Sequence, residues 1–97
     1  MINKEEIVQR VSFALEDVNK EITKDVIDTL FEIMTDVLKK GEDIRFTNFG
    51  TFKTKIRKGR IGVNPRNPSE KIEISDVRVV KFVPSSSLKK TVKNHEL

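Results

Sequence analysis

Seven basic side chains fall between Lys53 and Lys71: Lys53, Lys55, Arg57, Lys58, Arg60, Arg66 and Lys71, with Glu70 as the one acid among them. That stretch carries a net charge of +6, more than the +4 of the whole chain at pH 7. Residues 1–50 sum to −4 and residues 73–97 to +2, so the base is localised. Ammonium and guanidinium groups at this density bind a polyanion, and they need no other chemistry to do it. The stretch also holds Gly59, Gly62, Pro65 and Pro68 with few apolar residues, so it cannot bury itself in a core. By composition alone such a charge run also fits a solvated loop. Alternating apolar sequence on both sides favours a protruding arm with a proline-bearing tip.

Other chemistries find little support. There is no cysteine, which excludes disulfides and thiolate metal sites. The single histidine, His95, lies near the C-terminal end, and no serine has an evident base. Asp28, Glu32 and Asp36 recur at helical spacing, but without a histidine they read as a solvated face, not a metal site. Gly41, Gly50, Gly59 and Gly62 form no phosphate-binding fingerprint. No catalytic residue, metal, cofactor or small-molecule substrate is expected. This is a binding protein.

The elements that must carry the arm are small. Ninety-seven residues allow one domain, and 36% apolar content against 35% charged leaves little for a core. A chain this short is marginal alone, so a partner subunit is expected to complete the core. No apolar run approaches a membrane span, and Met1-Ile2-Asn3-Lys4-Glu5-Glu6 lacks the apolar segment of a secretory signal. A soluble, cytoplasmic protein is expected.

Asn3 is placed to cap a first helix, with Glu6 three residues on as a capping-box partner. Behind it Ile7, Val8, Val11, Ala14 and Leu15 share one helical face, and Phe13 lies off it. The pattern dissolves over residues 17–20, and Thr23 is the expected cap of a second helix. From Val26 to Leu38 the apolar band, which includes Leu30, Phe31 and Met34, is too wide for a helix covering one small sheet. The excess predicts burial in a dimer. Lys39-Lys40-Gly41 ends the helix. The period then changes to two: Ile44 and Phe46, a turn over residues 47–50, then Phe52, Thr54 and Ile56 running into the basic stretch. Ile72, Ile74, Val77, Val79 and Phe82 alternate on the return. Pro84 ends the strand, and Ser85-Ser86-Ser87 offers caps for a final helix from Leu88 to about Asn94.

Several of these motifs, in this order and at nearly this spacing, resemble the HU/IHF family of bacterial histone-like DNA-bending proteins. They are Asn3-Lys4-x-Glu6-Ile7, Phe49-Gly50-Thr51-Phe52, Arg57-Lys58-Gly59-Arg60, Asn64-Pro65, and Phe82-x-Pro84 with Leu88-Lys89. The resemblance covers nearly the whole chain. It implies an α+β fold: an intertwined dimer with a two-helix N-terminal base, a β-sheet carrying protruding β-ribbon arms, and a short C-terminal helix. Within a single domain, residues 1–40 would form the helical dimerisation part. Residues 41–84 would form the sheet, with the arm at about 54–73, and residues 85–97 the last helix and tail. Leu30, Phe31, Met34, Phe46, Phe49, Phe52 and Phe82 would build the shared core.

The resemblance further implies a homodimer that bends double-stranded DNA through the minor groove with little sequence preference, in the nucleoid. Lys53, Lys55, Arg57, Lys58, Arg60, Asn64, Arg66, Asn67 and Lys71 would line phosphates and groove edges. Pro65 would be the intercalating wedge, although Asn-Pro by itself is ordinary turn chemistry. Lys4 and Lys89 near helix ends are further candidates, each also readable as an ordinary surface lysine. Three departures stand out. The return from the tip is about one residue longer than the family pattern, so Pro68 is the alternative occupant of the kinked step. Val63 replaces an arginine that usually precedes Asn-Pro. Val83 and Ser85-Ser86 replace a common Lys-Pro-Gly-Lys run. The nearest alternative function is an IHF-like or phage-type relative that prefers particular sites. A small RNA-binding protein is less well matched, because no aromatic interleaves the basic arm. An interaction module for acidic proteins is the remaining alternative.

Overall fold

Asparagine side chains start both N-terminal helices. In the computed structural model, which describes residues 1–96, α1 spans Lys4–Ala14 and α2 spans Lys20–Lys39. Asn3 Oδ1 accepts the Glu6 N–H at 3.0 Å, as expected of its capping role. The Glu6 carboxylate lies 3.4 Å from Arg10, one turn on, so the Asn3 side chain supplies the capping bond. The cap of α2 differs from the expectation. It is Asn19, whose Oδ1 accepts Glu21 N–H at 2.8 Å and Ile22 N–H at 3.3 Å. Thr23 sits inside the first turn, buried, with its hydroxyl donating back to Asn19 O at 3.0 Å. An asparagine carbonyl reaches the first free amides directly, and the helix therefore begins three residues before Thr23. Between the helices Glu16 and Asp17 both take left-handed φ values, 60° and 61°.

The chain divides into two compact units, Met1–Asp36 and Val37–Leu97. In the first, Val8 and Ser12 of α1 and Thr23 and Met34 of α2 are buried, and the Ser12 hydroxyl donates to the Val18 carbonyl. Ile22, Val26, Leu30, Phe31 and Ile33 remain exposed, with Phe31 at 50%. The broad band of α2 is thus only partly covered.

In the second unit α2 ends at a left-handed glycine. Gly41 has φ 88°, its N–H donates to Leu38 O, and Glu42 N–H donates to Val37 O. These two bonds close the last turn as the Lys39-Lys40-Gly41 ending predicts. Strands β1 (Ile44–Phe46), β2 (Gly50–Arg57) and β5 (Val77–Pro84) form an antiparallel sheet in the order β1-β2-β5. The β1–β2 turn places Asn48 at φ 64° and returns Phe49 N–H to Phe46 O at 3.0 Å. Register pairs Ile44 with Phe52 and Phe52 with Phe82. Four rings gather around them. Phe52 and Phe82 lie 4.9 Å apart, Phe49 and Phe82 5.6 Å, and Phe46 meets Phe52 edge-on at 6.3 Å. Even so, Phe49 is 50% exposed and Phe82 37%. Helix α3 (Ser86–Asn94) starts two residues earlier than expected, with Ser85 Oγ accepting Leu88 N–H at 3.0 Å.

The return from the arm is not one continuous strand. Strands β3 (Ile61–Asn64) and β4 (Asn67–Glu73) pair only with each other, as a separate two-stranded ribbon. Residues 58–60 and 74–76 lie outside any strand. The arm is a ribbon joined to the sheet through this double break.

Candidate nucleic-acid interface

Strand alternation sorts five of the six cations of the sheet onto one side, Arg78 being the exception. Residues directly opposite in antiparallel strands share a face. Phe52, Thr54 and Ile56 therefore lie with Phe82, Val80 and Arg78, while Lys53, Lys55 and Arg57 lie on the other face with Lys81, Val79 and Val77. Arg45 pairs with Thr51 and joins the second group. One face thus carries the phenylalanines, and the other carries Arg45, Lys53, Lys55, Arg57 and Lys81, all exposed. Lys53 and Lys81 are direct register partners. Like charges placed so are unfavourable without an anion between them. Arg45 and Lys81 were outside the sequence candidates, because each stands apart from the contiguous basic run. Their signal is the register of the hairpin and of its return strand.

The arm continues this base outward. Arg60, Arg66 and Lys71 are exposed and form no ion pair among the described residues; the same is true of Lys53, Lys55, Arg57 and Lys89. Lys89 projects from α3. Lys58 lies 3.5 Å from Asp76 Oδ2. Lys4, the remaining candidate, belongs to the helical unit and donates to Asp28 at 2.6 Å. Lys24 reaches the other oxygen of the same carboxylate at 2.6 Å. Hydrogen bonds from Lys24 and then Lys4 hold the Asp28 carboxyl below its usual range, and Asp28 in turn raises the Lys24 ammonium.

The tip is a two-residue loop. Asn64 pairs with Asn67, leaving Pro65 and Arg66 between them. Asn64 Oδ1 accepts the Arg66 N–H at 3.0 Å, a side-chain turn that suits Asn-Pro. Its Nδ2 donates to Glu70 Oε2 at 3.0 Å, so one of the two acids of the ribbon, Glu70, is engaged in shaping the tip. Asn67 Oδ1 accepts the Ser69 hydroxyl at 2.7 Å. The register shifts between Val63, which pairs with Lys71, and Asn64, which pairs with Asn67. Pro68, Ser69 and Glu70 are left without partners across the ribbon. The irregularity therefore falls on β4, next to the tip and not within its loop. Pro65 occupies the loop, and Pro68 follows it one pair down.

Such a surface offers cations on a pleated face and a narrow basic ribbon with a proline tip. Residues 2–93 match the sequence profile of the bacterial DNA-binding protein family. Over 91 residues the chain is 37% identical to DNA-binding protein HU 1 of Bacillus subtilis, covering 94% of this chain and 97% of that relative. It is 39% identical over 79 residues to integration host factor subunit alpha of Albidiferax ferrireducens, covering 81% of this chain and 76% of the relative. Its fold is similar to that of the HU chain in an Anabaena HU–DNA cocrystal structure. The TM-score is 0.80 at 29% identity, over 97% of this chain and 100% of that one. On these matches and the α+β fold with its basic arm, the chain belongs to the bacterial DNA-binding protein family, that of HU and integration host factor.

Proposed function

We propose that two copies of this chain form one unit that binds double-stranded DNA through the minor groove and bends it, with little sequence preference. The observation that carries the reading is the charge-sorted sheet, in which five of six cations face away from the phenylalanines and include the Lys53–Lys81 pair. Unpaired cations on a rigid face neutralise phosphates, and phosphate contacts position a protein without reading sequence. The arms would extend the grip, and Pro65 at each tip would open a base step and localise the bend. The HU–DNA cocrystal structure of the Anabaena relative supports DNA as the partner.

The exposed apolar surface supports the dimer. Among the described residues Val8 and Met34 are the buried hydrophobic side chains, and no large side chain is fully buried. The chain exposes 8859 Å², against roughly 5,700 Å² expected of a folded monomer of this length. Part of the excess is the arm. The rest includes Leu30, Phe31, Phe49 and Phe82, which a second copy would cover. Nucleoid association follows from the same reading, and no chemical step is assigned. No described helix is long and apolar enough to cross a membrane.

A gel-shift series on intact, nicked and single-stranded DNA of one sequence tests the reading. Both duplexes should bind in preference to the single strand, and binding should weaken steeply with salt. Equal or tighter binding to the single strand would overturn the duplex assignment.

A further inference from the structure

Where the ribbon joins the sheet, both strands break. Residues 58–60 face residues 74–76, and Ile74 N–H donates to Arg60 O across the gap at 2.8 Å. Gly59 stands at the closest approach. A Cβ there would overlap the carbonyl oxygen of Ile74, so the position admits glycine and no side chain shields its amide. Out of the ladder, the Gly59 N–H has taken a carboxylate as its acceptor: it donates to Asp76 Oδ1 at 2.7 Å. The second oxygen, Oδ2, lies 3.5 Å from Lys58 Nζ. A bare backbone N–H beside an ammonium is the donor set of a phosphate site. Asp76 presents to it an anionic oxygen pair of the same kind.

The contact is also open. The Lys58 side chain is 83% exposed and that of Asp76 53%. Arg57 and Arg60 flank the site in sequence, and neither is ion-paired among the described residues. An exposed pair of this kind is weak, and the DNA backbone brings a phosphate charge every ~1.7 Å of helix axis. Resting on the duplex reading above, we propose that Asp76 is an internal stand-in for a DNA phosphate. In the free protein it fills an anion site made by Gly59 N–H and Lys58 Nζ, and a backbone phosphate displaces it when the arm closes on the duplex. The carboxylate keeps the joint in one arrangement until DNA arrives, and its displacement opposes binding.

Asp76→Asn separates charge from shape, because the amide oxygen still accepts the Gly59 N–H while the hold on Lys58 is lost. Duplex affinity of this variant should rise by roughly two- to fivefold per arm at 50 mM salt. The gain should shrink towards 200 mM as screening grows. Adding Lys58→Ala to Asp76→Asn should abolish the gain, and Asp76→Ala should also bind more tightly than the parent. In the unmodified protein, the 15N-labelled Gly59 amide should shift on addition of duplex, since its acceptor changes from carboxylate to phosphate. An Asp76→Asn protein that binds no tighter than a parent that does bind duplex overturns the stand-in role. So does a Gly59 resonance that stays in place in the bound state. A parent that binds no duplex at all sinks the duplex reading with it.

Discussion

Replacing Lys81 with Gln removes one of two ammonium groups that face each other across β2 and β5, since Lys53 and Lys81 are register partners. Two effects of opposite sign follow. In the free protein the change relieves like-charge repulsion, which at a directly opposed exposed pair is worth a few tenths of a kcal/mol. Melting should rise by about 2 °C. On DNA the same change removes one phosphate contact per chain, hence two per dimer. Each contact contributes about 0.9 to the slope of log affinity against log salt, so the slope should fall by roughly 1.8. Between 50 and 200 mM salt the parent should therefore lose about tenfold more affinity than the variant. Fluorescence anisotropy on one duplex at four or five salt concentrations reads the slope, and a thermal melt reads stability. A stabilised variant with an unchanged salt slope would refute the placement of the basic sheet face on DNA. A destabilised variant would refute the register argument itself.

Because the exposed Leu30, Phe31, Phe49 and Phe82 need a second copy, the melting midpoint should climb with protein concentration, each tenfold step adding about 1.4 kcal/mol per dimer. A concentration-independent midpoint with a monomer mass in sedimentation would contradict the dimer. Pro65→Ala should reduce the bend of an end-labelled duplex while salt-dependent binding persists, and the loss should shrink on nicked DNA, where the step opens cheaply. Pro68→Ala is the companion variant, and an unchanged bend in both singles and the double would make the arm a clamp only. Asp28 is held below its usual pKa by Lys24 and then Lys4, so its contribution is complete above about pH 4 and fades as pH falls through the lowered value. The raised Lys24 loses its share only as pH climbs past about 10.5. Chemical denaturation should therefore show Asp28→Asn less stable than the parent at pH 7, with the difference shrinking as pH falls below about 4; a difference that stays the same as pH falls would rule the carboxylate out.

Local signals carried much of the fold. The α2 band, the Gly41 ending, the turn around Asn48 and the Ser85 cap each depend on residues a few positions apart, and the structure places all of them as read. Asn19 was missed because it fell in a stretch with no apolar period, whereas Thr23 stood next to one. The break at residues 74–76 was missed for a different reason. The alternation of Ile72, Ile74, Val77 and Val79 hides it, and Asp76 reaches back 17 residues to Gly59. Arg45 and Lys81 are likewise invisible to a count of neighbouring charges. They join the site only through register, which pairs Lys81 with Lys53 across 28 residues of chain. The candidate arm was legible as composition; the face it shares with the sheet was not.

The central claim is that this chain bends the duplex it binds. The most direct test titrates the unmodified protein onto a duplex carrying a fluorophore at each end, at 50 and 200 mM salt, reading anisotropy and energy transfer together. Energy transfer should rise in step with anisotropy as the ends approach, and both titrations should move to much higher protein concentration at 200 mM. Saturated binding with no change in end-to-end distance would contradict bending, and titrations that coincide at the two salt concentrations would contradict the phosphate grip that drives it.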